Sequence, residues 1–396
     1  MIMMKIRMHN AINPFKDVSD TEMNFESYLR KIDFSKIKSV SQKYKNIKNV
    51  IVIGNGGSIN PLLSLYSNND LKIKNLYVVN TEDADLIKDV KKNAKAKDSI
   101  VIIASKSGET STALIDYFAF SGYKKLILTS DENSTLATIA EKNKNDICTV
   151  PKNISGRYSG FTETTLIPMA ILGYDPKVII NAAAYTKRYK KKAKELAWFF
   201  YDAEKNGYSD LFVPIYSYKA RGFFNMISQL FHESFGKNRE GLTVYGGNAP
   251  ETQHHTNQRF FGGMDNTSAM IIYAKSENQM EAKVKKSLLS IQKLEKIKGI
   301  RYSDAVYYEF LGTAKTAIKN MKVITTIEFE SFGIEERSHF LMLLYYFSVY
   351  SSLYRKVNPF DQPEVEESKI TTMRLIEKKR RIKGKNISGE KNAQLN

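Results

Sequence analysis

Two short loops rich in glycine and hydroxyl residues are the segments of this sequence best suited to chemistry. The first is Gly54-Asn55-Gly56-Gly57-Ser58, and the second is Ser105-Lys106-Ser107-Gly108-Glu109-Thr110. Each follows an apolar β-branched run and precedes an amphipathic stretch, which predicts a strand, a loop and a helix. Glycines let the backbone approach an anion, while helix N-termini and hydroxyls donate hydrogen bonds to it. The sequence therefore predicts that both loops are suited to binding a phosphate group.

The two loops together favour a sugar phosphate over a dinucleotide. The first loop has Ile59 where the dinucleotide fingerprint requires a third glycine, and it lacks the Lys-Ser/Thr pair of a nucleotide P-loop. The acidic pair Glu82-Asp83 after the next strand keeps a dinucleotide as an alternative, because such a carboxylate binds a ribose in that fold. A pair of matched loops is more typical of a phosphorylated small molecule.

Strand and helix patterns alternate twice along the chain. The first apolar runs are Val50-Ile51-Val52-Ile53, Leu76-Tyr77-Val78-Val79, Ile100-Val101-Ile102-Ile103 and Leu126-Ile127-Leu128. After about Phe200 come Leu211-Phe212-Val213-Pro214-Ile215, Ala269-Met270-Ile271-Ile272-Tyr273 and Val323-Ile324-Thr325-Thr326-Ile327. Continuous apolar strands separated by helices predict parallel sheets covered on both faces. Ligands then bind at the carboxyl ends of the strands, where both loops fall.

Composition narrows the class of protein. With 396 residues, of which 42% are hydrophobic, the chain is long enough for two domains. Its one cysteine, Cys148, excludes an intramolecular disulfide framework and fits a reducing compartment. Lys5 and Arg7 interrupt the apolar N-terminus, so no signal-peptide core is expected and the protein is predicted to be cytoplasmic. The apolar run 340–354 contains serines and predicts a core helix rather than a membrane span.

The formal charge of +18 predicts non-specific attraction to polyanions at low salt. The densest basic runs are Lys187-Arg188-Tyr189-Lys190-Lys191-Lys192 and Lys378-Lys379-Arg380-Arg381. Such runs are typical of solvated helix faces. Because no nucleic-acid-binding motif accompanies them, we expect no specific nucleic-acid partner.

Four further motifs follow the two loops in order. They are Ser155-Gly156-Arg157-Tyr158-Ser159; the segment from Gln229 to Lys237 with Glu233-Ser234-Phe235-Gly236-Lys237; Gln253-His254 with Gln258; and Phe360-Asp361-Gln362-Pro363-Glu364-Val365-Glu366 with Lys369. Together with the loops, they resemble the phosphoglucose isomerases, a family with two sugar-isomerase (SIS) domains. The departures, such as Ser155-Gly156 in place of two glycines, resemble the compact archaeal members.

The resemblance implies a role for each matching residue. Gly57, Ser58, Ser105, Lys106, Ser107 and Thr110 would bind the phosphate, with Gly57 and Lys106 acting through their backbone. Gln229 would bind the sugar, Glu233 would be the catalytic base, and Arg157 would lie beside the reacting carbons. His254 and Lys369 would open the sugar ring. In the family the histidine reaches the active site of the neighbouring subunit, so a homodimer with shared sites is implied.

These roles agree with the chemistry of aldose–ketose isomerisation. One carboxylate must carry a proton between C2 and C1, while a fixed cation stabilises the enediolate between them. Ring opening needs a base and an acid, for which an imidazole and an ammonium are suited. Gln229 and Glu233 are four residues apart, so both side chains project from one helix face.

The resemblance implies an α/β fold of two SIS domains, each a parallel sheet flanked by helices. The expected boundaries are an N-terminal arm over 1–42, a first domain over 43–200, a second over 201–356, and a C-terminal helix with a basic tail over 357–396. The first domain would hold the phosphate loops and the second Glu233 and His254.

The implied activity is interconversion of glucose 6-phosphate and fructose 6-phosphate through a cis-enediol, without a cofactor. Two alternatives stay open: a dual phosphoglucose/phosphomannose isomerase, and a non-catalytic SIS sugar-phosphate sensor. The sensor needs the loops but not the four catalytic side chains. His255 beside His254 raises the question of a metal site. Because neighbouring residues in an extended segment point apart and no third ligand is spaced for zinc, we expect none.

Overall fold

The computed structural model describes residues 4–67, 70 and 74–393. Its strands are β1 (Met4–His9), β2 (Asn49–Ile53), β3 (Asn75–Val79), β4 (Ser99–Ala104), β5 (Lys124–Thr129), β6 (Asp146–Thr149), β7 (Asp210–Tyr216), β8 (Thr243–Asn248), β9 (Thr267–Ala274) and β10 (Ile324–Phe329). Its α-helices are α1 (Asn24–Tyr28), α2 (Phe34–Lys43), α3 (Asn60–Leu65), α4 (Ala84–Asn93), α5 (Ser111–Ala119), α6 (Thr135–Lys142), α7 (Glu163–Leu172), α8 (Pro176–Tyr185), α9 (Lys190–Lys205), α10 (Phe223–Gln229), α11 (Gln253–Gly262), α12 (Gln292–Ile297), α13 (Tyr302–Lys319), α14 (Ile334–Tyr354) and α15 (Glu364–Ala393).

The first sheet is parallel throughout and has the order β3-β2-β4-β5-β6. Every residue of β2 and β4 is buried, as expected for central strands covered by helices on both faces. Ile53 of β2 pairs with Ile103 of β4, so both strands end at the same edge. The two glycine- and hydroxyl-rich loops therefore leave the sheet side by side, and the predicted α/β fold is confirmed in this half.

The second sheet has the order β1-β10-β9-β7-β8. Four of its strands are parallel, but β1 pairs antiparallel with β10, with Met4 opposite Phe329. Part of the predicted N-terminal arm over 1–42 therefore lies in this sheet as β1. Met4, Ile6 and Met8 alternate with polar residues, and this period of two fits a strand that covers the free edge of β10.

Strand β8, like β1 and β6, was not among the strands that the sequence patterns predicted. It contains Gly246 and Gly247, and glycine is depleted in strands, so its run carries no apolar signal. Pairing with β7 places it in the sheet, with Ile215 opposite Asn248. It matters for function because β8 leads into α11, which carries His254.

Helix α14 lies in the interior, where residues 336–352 are all buried. It contacts α3, α8, α9 and the turn that carries Glu233. The predicted core helix over 340–354 is therefore confirmed. Within residues 4–67, 70 and 74–393, no helix combines the length and apolar character that crossing a bilayer requires.

The chain separates into two compact units, one up to Pro359 and one from Phe360 to Asn396. The first contains both sheets. The second contains α15, on which Lys369 pairs with Glu366 at 2.8 Å in an exposed ion pair. The boundary predicted near residue 200 between two SIS domains stays a prediction.

Candidate active site

The first loop packs backbone against backbone on the segment that carries Arg157. After β2 the chain makes a tight helical turn over Gly56–Ser58 before α3 begins. A Cβ atom on Gly57 would lie 2.2 Å from the carbonyl carbon of Gly156, so only glycine fits there. Ser159 Oγ donates a 2.9 Å hydrogen bond to the Gly57 carbonyl oxygen. These contacts fix Ser58 relative to Arg157.

The second loop is held by its own hydroxyls. Ser105 Oγ donates to Thr110 Oγ1 at 3.0 Å and accepts from the Gly108 N–H at 3.2 Å. Gly108 has a φ of +68°, and a Cβ atom there would lie 2.1 Å from Ser134 Oγ. The Thr110 side chain does not cap α5, so first-turn N–H groups of this helix are available to an anion. The local geometry therefore suits phosphate binding at this turn.

Glu109 introduces a negative charge into a loop that is predicted to bind an anion. Its carboxylate is engaged by the first residue of α6: Thr135 donates through its N–H at 2.6 Å and through its hydroxyl at 2.8 Å. A carboxylate is stabilised at a helix N-terminus, where the helix dipole is positive. The Glu109 carboxylate thus accepts hydrogen bonds at the N-terminus of the neighbouring helix α6.

A cluster of Arg157, Gln229 and Glu233 forms the centre of the candidate site. Arg157 is 1% exposed, and its Nε lies 3.4 Å from Glu233 Oε2. Gln229 Nε2 donates to the other carboxylate oxygen at 2.9 Å. Asn60 at the start of α3 fixes the amide by donating to Gln229 Oε1 at 2.8 Å. The Glu233 side chain is still 30% exposed, so a ligand has access to a carboxylate held in a defined orientation.

The local backbone explains this orientation. Gln229 ends α10, and residues Leu230–Phe235 continue as a π-helical turn. Such turns occur mostly as short insertions in helices and are frequent at functional sites. The predicted sharing of one helix face by Gln229 and Glu233 is seen in their hydrogen bond, although the helix type differs.

The cluster lies next to the first loop. A Cβ atom on Gly56 would be 3.0 Å from Gln229 Nε2, the same nitrogen that holds Glu233. The second loop is also close, because Lys106 shares a pocket with Ser58 and Gly156. Burial lowers the pKa of the Lys106 ammonium, and the Arg157 charge lowers it further. Ser58, Lys106, Gly156, Ser159 and Thr162 line one small pocket. The structure thus brings together residues of both loops, Arg157, Gln229 and Glu233.

A buried chain of hydroxyls joins the segments of Arg157 and Glu233. The Tyr158 hydroxyl lies 3.1 Å from Ser234 Oγ and 2.8 Å from Ser348 Oγ of α14. Ser352, one turn further along α14, donates to the Ser234 carbonyl oxygen at 3.1 Å. Sequence reasoning missed this link. Its signal was the spacing of Ser348 and Ser352, which lie four residues apart in the largely apolar run 340–354.

His254 is not joined to this cluster, and Lys369 belongs to α15 of the second compact unit. His254 is exposed in the first turn of α11, and its side chain makes no hydrogen bond or ion pair with another described residue. Gln253 anchors the turn by accepting from the Tyr216 hydroxyl at 2.7 Å. The expectation that His254 and His255 lie in an extended segment is wrong, because both are helical. The described part of the chain holds no group of three or more metal-ligating side chains.

Comparisons with known proteins find similarity to the enzymes that the motifs resemble. No family model matches the chain. A glucose-6-phosphate isomerase of the archaeon Methanocaldococcus jannaschii is 27% identical over 353 residues, which cover 84% of this chain and 86% of the relative. The glucose-6-phosphate isomerase of Fusobacterium nucleatum is 27% identical and covers 94% of this chain and 90% of its own.

Solved structures share the fold. A glucose-6-phosphate isomerase of Chlamydia trachomatis superposes with a TM-score of 0.70 at 15% identity, covering 93% of this chain and 80% of its own. A hypothetical protein of Thermus thermophilus gives 0.78 at 17% identity and covers 89% of each chain. The resemblance predicted from the motifs is thus confirmed, and the chain is a relative of the glucose-6-phosphate isomerases.

Proposed function

We propose that this protein is a glucose-6-phosphate isomerase that interconverts glucose 6-phosphate and fructose 6-phosphate in glycolysis and gluconeogenesis. The observation that carries the proposal is the position of Glu233. Its carboxylate is oriented by Gln229 and lies 3.4 Å from the buried guanidinium of Arg157. It also lies beside two loops suited to phosphate. Curated relatives with this activity match most of the chain.

In the proposed reaction, the loops hold the phosphate while Glu233 acts on the sugar carbons. The Glu233 carboxylate removes the proton from C2 of the open aldose, and the electron pair moves to form the cis-enediolate as the C1 carbonyl becomes an oxyanion. Arg157 stabilises this developing charge from a buried position. The proton of the C2 hydroxyl moves to the C1 oxygen, and Glu233 then returns its own proton to C1, which leaves the carbonyl on C2 and a hydroxyl on C1. No external oxidant or reductant is required, because C2 of the sugar is oxidised while C1 of the same molecule is reduced.

Ring opening is assigned to His254 and Lys369. A base removes the proton of the C1 hydroxyl, and an acid protonates the ring oxygen as the C1–O5 bond breaks. An imidazole and an ammonium supply these functions. Because the exposed His254 side chain makes no hydrogen bond or ion pair with another described residue, we propose that it serves the site of a second subunit in a cytoplasmic homodimer.

The direct test is a coupled assay of the purified full-length chain with glucose 6-phosphate. We expect turnover that falls about 10³-fold in Glu233→Gln, while fructose 6-phosphate still binds. Glu295→Gln, on the exposed helix α12, is the matched control and should keep full activity. Full turnover in Glu233→Gln would contradict the proposal. Binding without turnover in the wild type would favour the sugar-phosphate sensor, and turnover of mannose 6-phosphate would favour the dual isomerase.

Mixing inactive variants tests the shared site. If His254 acts in its neighbour's site, a heterodimer of Glu233→Gln and His254→Ala chains has one intact site. Co-refolding equal amounts should then restore about one quarter of wild-type activity. Glu233→Gln mixed with Arg157→Ala is the control, because these two residues are in contact within one chain and no site is restored. A lack of recovery in the first mixture would show that each chain completes its own site.

A further inference from the structure

We propose that a second pocket, at the carboxyl ends of β7 and β8, binds a small organic anion through the guanidinium of Arg221. The β7–β8 pocket has a volume of about 410 Å³, within the range of small-molecule sites. Tyr66, Leu76, Tyr218, Arg221, Asn225 and Asn248 are among its lining residues. The pocket shares no lining residue with the Ser58–Lys106 pocket beside Glu233.

The position of the pocket in the second sheet corresponds to that of the first loop in the first sheet. In each sheet a buried parallel strand ends in a short loop that leads into a helix: β2 into α3, and β7 into α10. Ligands of parallel α/β sheets bind in the crevice at these strand ends. The loop after β7 is Ser217-Tyr218-Lys219-Ala220-Arg221-Gly222, which is cationic where the loop after β2 is neutral.

Charge pairing around the pocket leaves one cation available. Lys219 lies 3.3 Å from Asp70 and 3.8 Å from Glu277, so its charge is compensated. Asp70 also pairs with the buried Arg337. Arg221 stacks on the Tyr218 ring at 3.9 Å and has no carboxylate partner among the described residues. A guanidinium that lies over an aromatic ring can still donate hydrogen bonds from its N–H groups to an anion.

The remaining walls indicate the class of ligand. The side-chain amides of Asn225 and Asn248 make no hydrogen bond with any residue of 4–67, 70 or 74–393, so both can bind polar groups of a ligand. Leu63, Leu76 and Val78 form an apolar side. One free cation, two amides and an apolar wall fit a molecule with a single phosphate or carboxylate group on an apolar body.

The pocket is connected to the candidate active site through α10. Asn225 lines the pocket, and Gln229 lies one turn later on the same helix, where it orients Glu233. A ligand that fixes the first turn of α10 therefore changes the placement of the carboxylate. This effect on rate rests on the proposed isomerase function, whereas binding at Arg221 does not.

Calorimetry with phenyl phosphate on the full chain tests the proposal. We expect two sites per chain, one in the phosphate loops and one in the β7–β8 pocket. Arg221→Gln should weaken the second site about 10-fold or more. Ser107→Ala with Thr110→Val should weaken only the first. Arg188→Gln is the matched control, because Arg188 is also exposed and stacks on a tyrosine, Tyr185, at 3.2 Å but lines neither pocket.

Phenyl phosphate in the phosphate loops should compete with substrate and raise the apparent KM. Phenyl phosphate in the β7–β8 pocket should also change the isomerase kcat of the wild type at saturating substrate, and this kcat effect should disappear in Arg221→Gln. One binding site per chain, or equal effects of Arg221→Gln and Arg188→Gln, would overturn the proposal. A changed oligomeric state of Arg221→Gln in light scattering, with phenyl phosphate binding unaltered, would also overturn it, since a second copy would then occupy the pocket. An Arg221-dependent site in a chain without isomerase activity would support the pocket and refute the proposed function.

Discussion

The strand order β3-β2-β4-β5 of the first sheet corresponds to β8-β7-β9-β10 of the second, but the loops that follow these strands differ in chemistry. In the first sheet, the loops after β2 and β4 bring glycine backbone and hydroxyl groups to the strand ends, with few charges. In the second, the segment after β7 brings Lys219 and Arg221, and α10 continues to Glu233. A parallel sheet therefore fixes where a site lies, but the loop residues decide what it does. We interpret the first half as the binding half and the second as the source of the catalytic base.

Arg157 belongs to neither sheet but lies 3.4 Å from Glu233, so its removal should have a large effect on the reaction. Arg157→Ala should lower kcat by about 10²–10³-fold, because the enediolate would lose its buried cation. The KM for glucose 6-phosphate should change little, since the phosphate loops are intact. Steady-state kinetics separates the two parameters. An effect confined to KM would show that Arg157 acts in substrate binding. It would contradict its assignment to stabilisation of the enediolate.

Substitutions in the phosphate loops should instead raise KM more than they lower kcat. Ser107→Ala combined with Thr110→Val removes two hydroxyls and should raise KM about 100-fold with a smaller change in kcat. Ser41→Ala, which removes an exposed hydroxyl on α2, is the control and should leave both parameters unchanged. A fall in kcat with unchanged KM would show that these hydroxyls act on the transition state instead.

The buried hydroxyl link tests how the halves are held together. Tyr158→Phe removes the hydroxyl that joins Ser234 and Ser348, so Arg157 and Glu233 lose a shared anchor. We expect kcat to fall about 10-fold with KM nearly unchanged, because small displacements of catalytic groups are costly.

Tyr123→Phe is the control for the hydroxyl link, because its buried hydroxyl donates to the Ala94 carbonyl at 2.8 Å, distant in sequence from Arg157 and Glu233. Both variants should lose about 1 kcal/mol of unfolding free energy. An equal fall in kcat for Tyr158→Phe and Tyr123→Phe would show that the Tyr158 hydroxyl has no specific role in positioning Arg157 and Glu233.

The smallest expected effect on activity concerns Asp116 on α5, in the binding half. Its carboxylate is buried, and neither oxygen has a hydrogen-bond partner among the described residues. Burial, with a smaller contribution from Glu82, raises its pKa to about 6. The folded state therefore binds the proton more tightly than the unfolded chain, and stability falls as pH rises from about 4 through about 6.

Asp116→Asn should remove this pH dependence and raise the unfolding free energy at pH 8 by on the order of 2 kcal/mol, with no change in kcat. Denaturant titrations at several pH values check the result. A stability that rises with pH over this range in the wild type, or a variant that is less stable at pH 8, would contradict it.

The sequence was most informative where a local pattern follows directly from a physical requirement of the structure. The buried strands β2 and β4 are continuous apolar runs, and the loops after them carry glycine where close backbone approach excludes a side chain, as at Gly57. The i, i+4 spacing of Gln229 and Glu233 predicted their contact. Strands β1 and β8 were missed because their stability comes from pairing with β10 and β7 rather than from their own residues.

The identity of the chemical groups was thus determined by the sequence alone: two hydroxyl-rich loops, a carboxylate, an arginine and a histidine in a fixed order. Only the tertiary structure decided that Arg157 and Glu233 meet, that Glu109 turns to α6, and that Tyr158 joins them through α14. The physical reason is that spacing along a chain sets contacts within one helix or turn. Contacts between segments 76 residues apart depend on how buried surfaces pack, which no local pattern encodes.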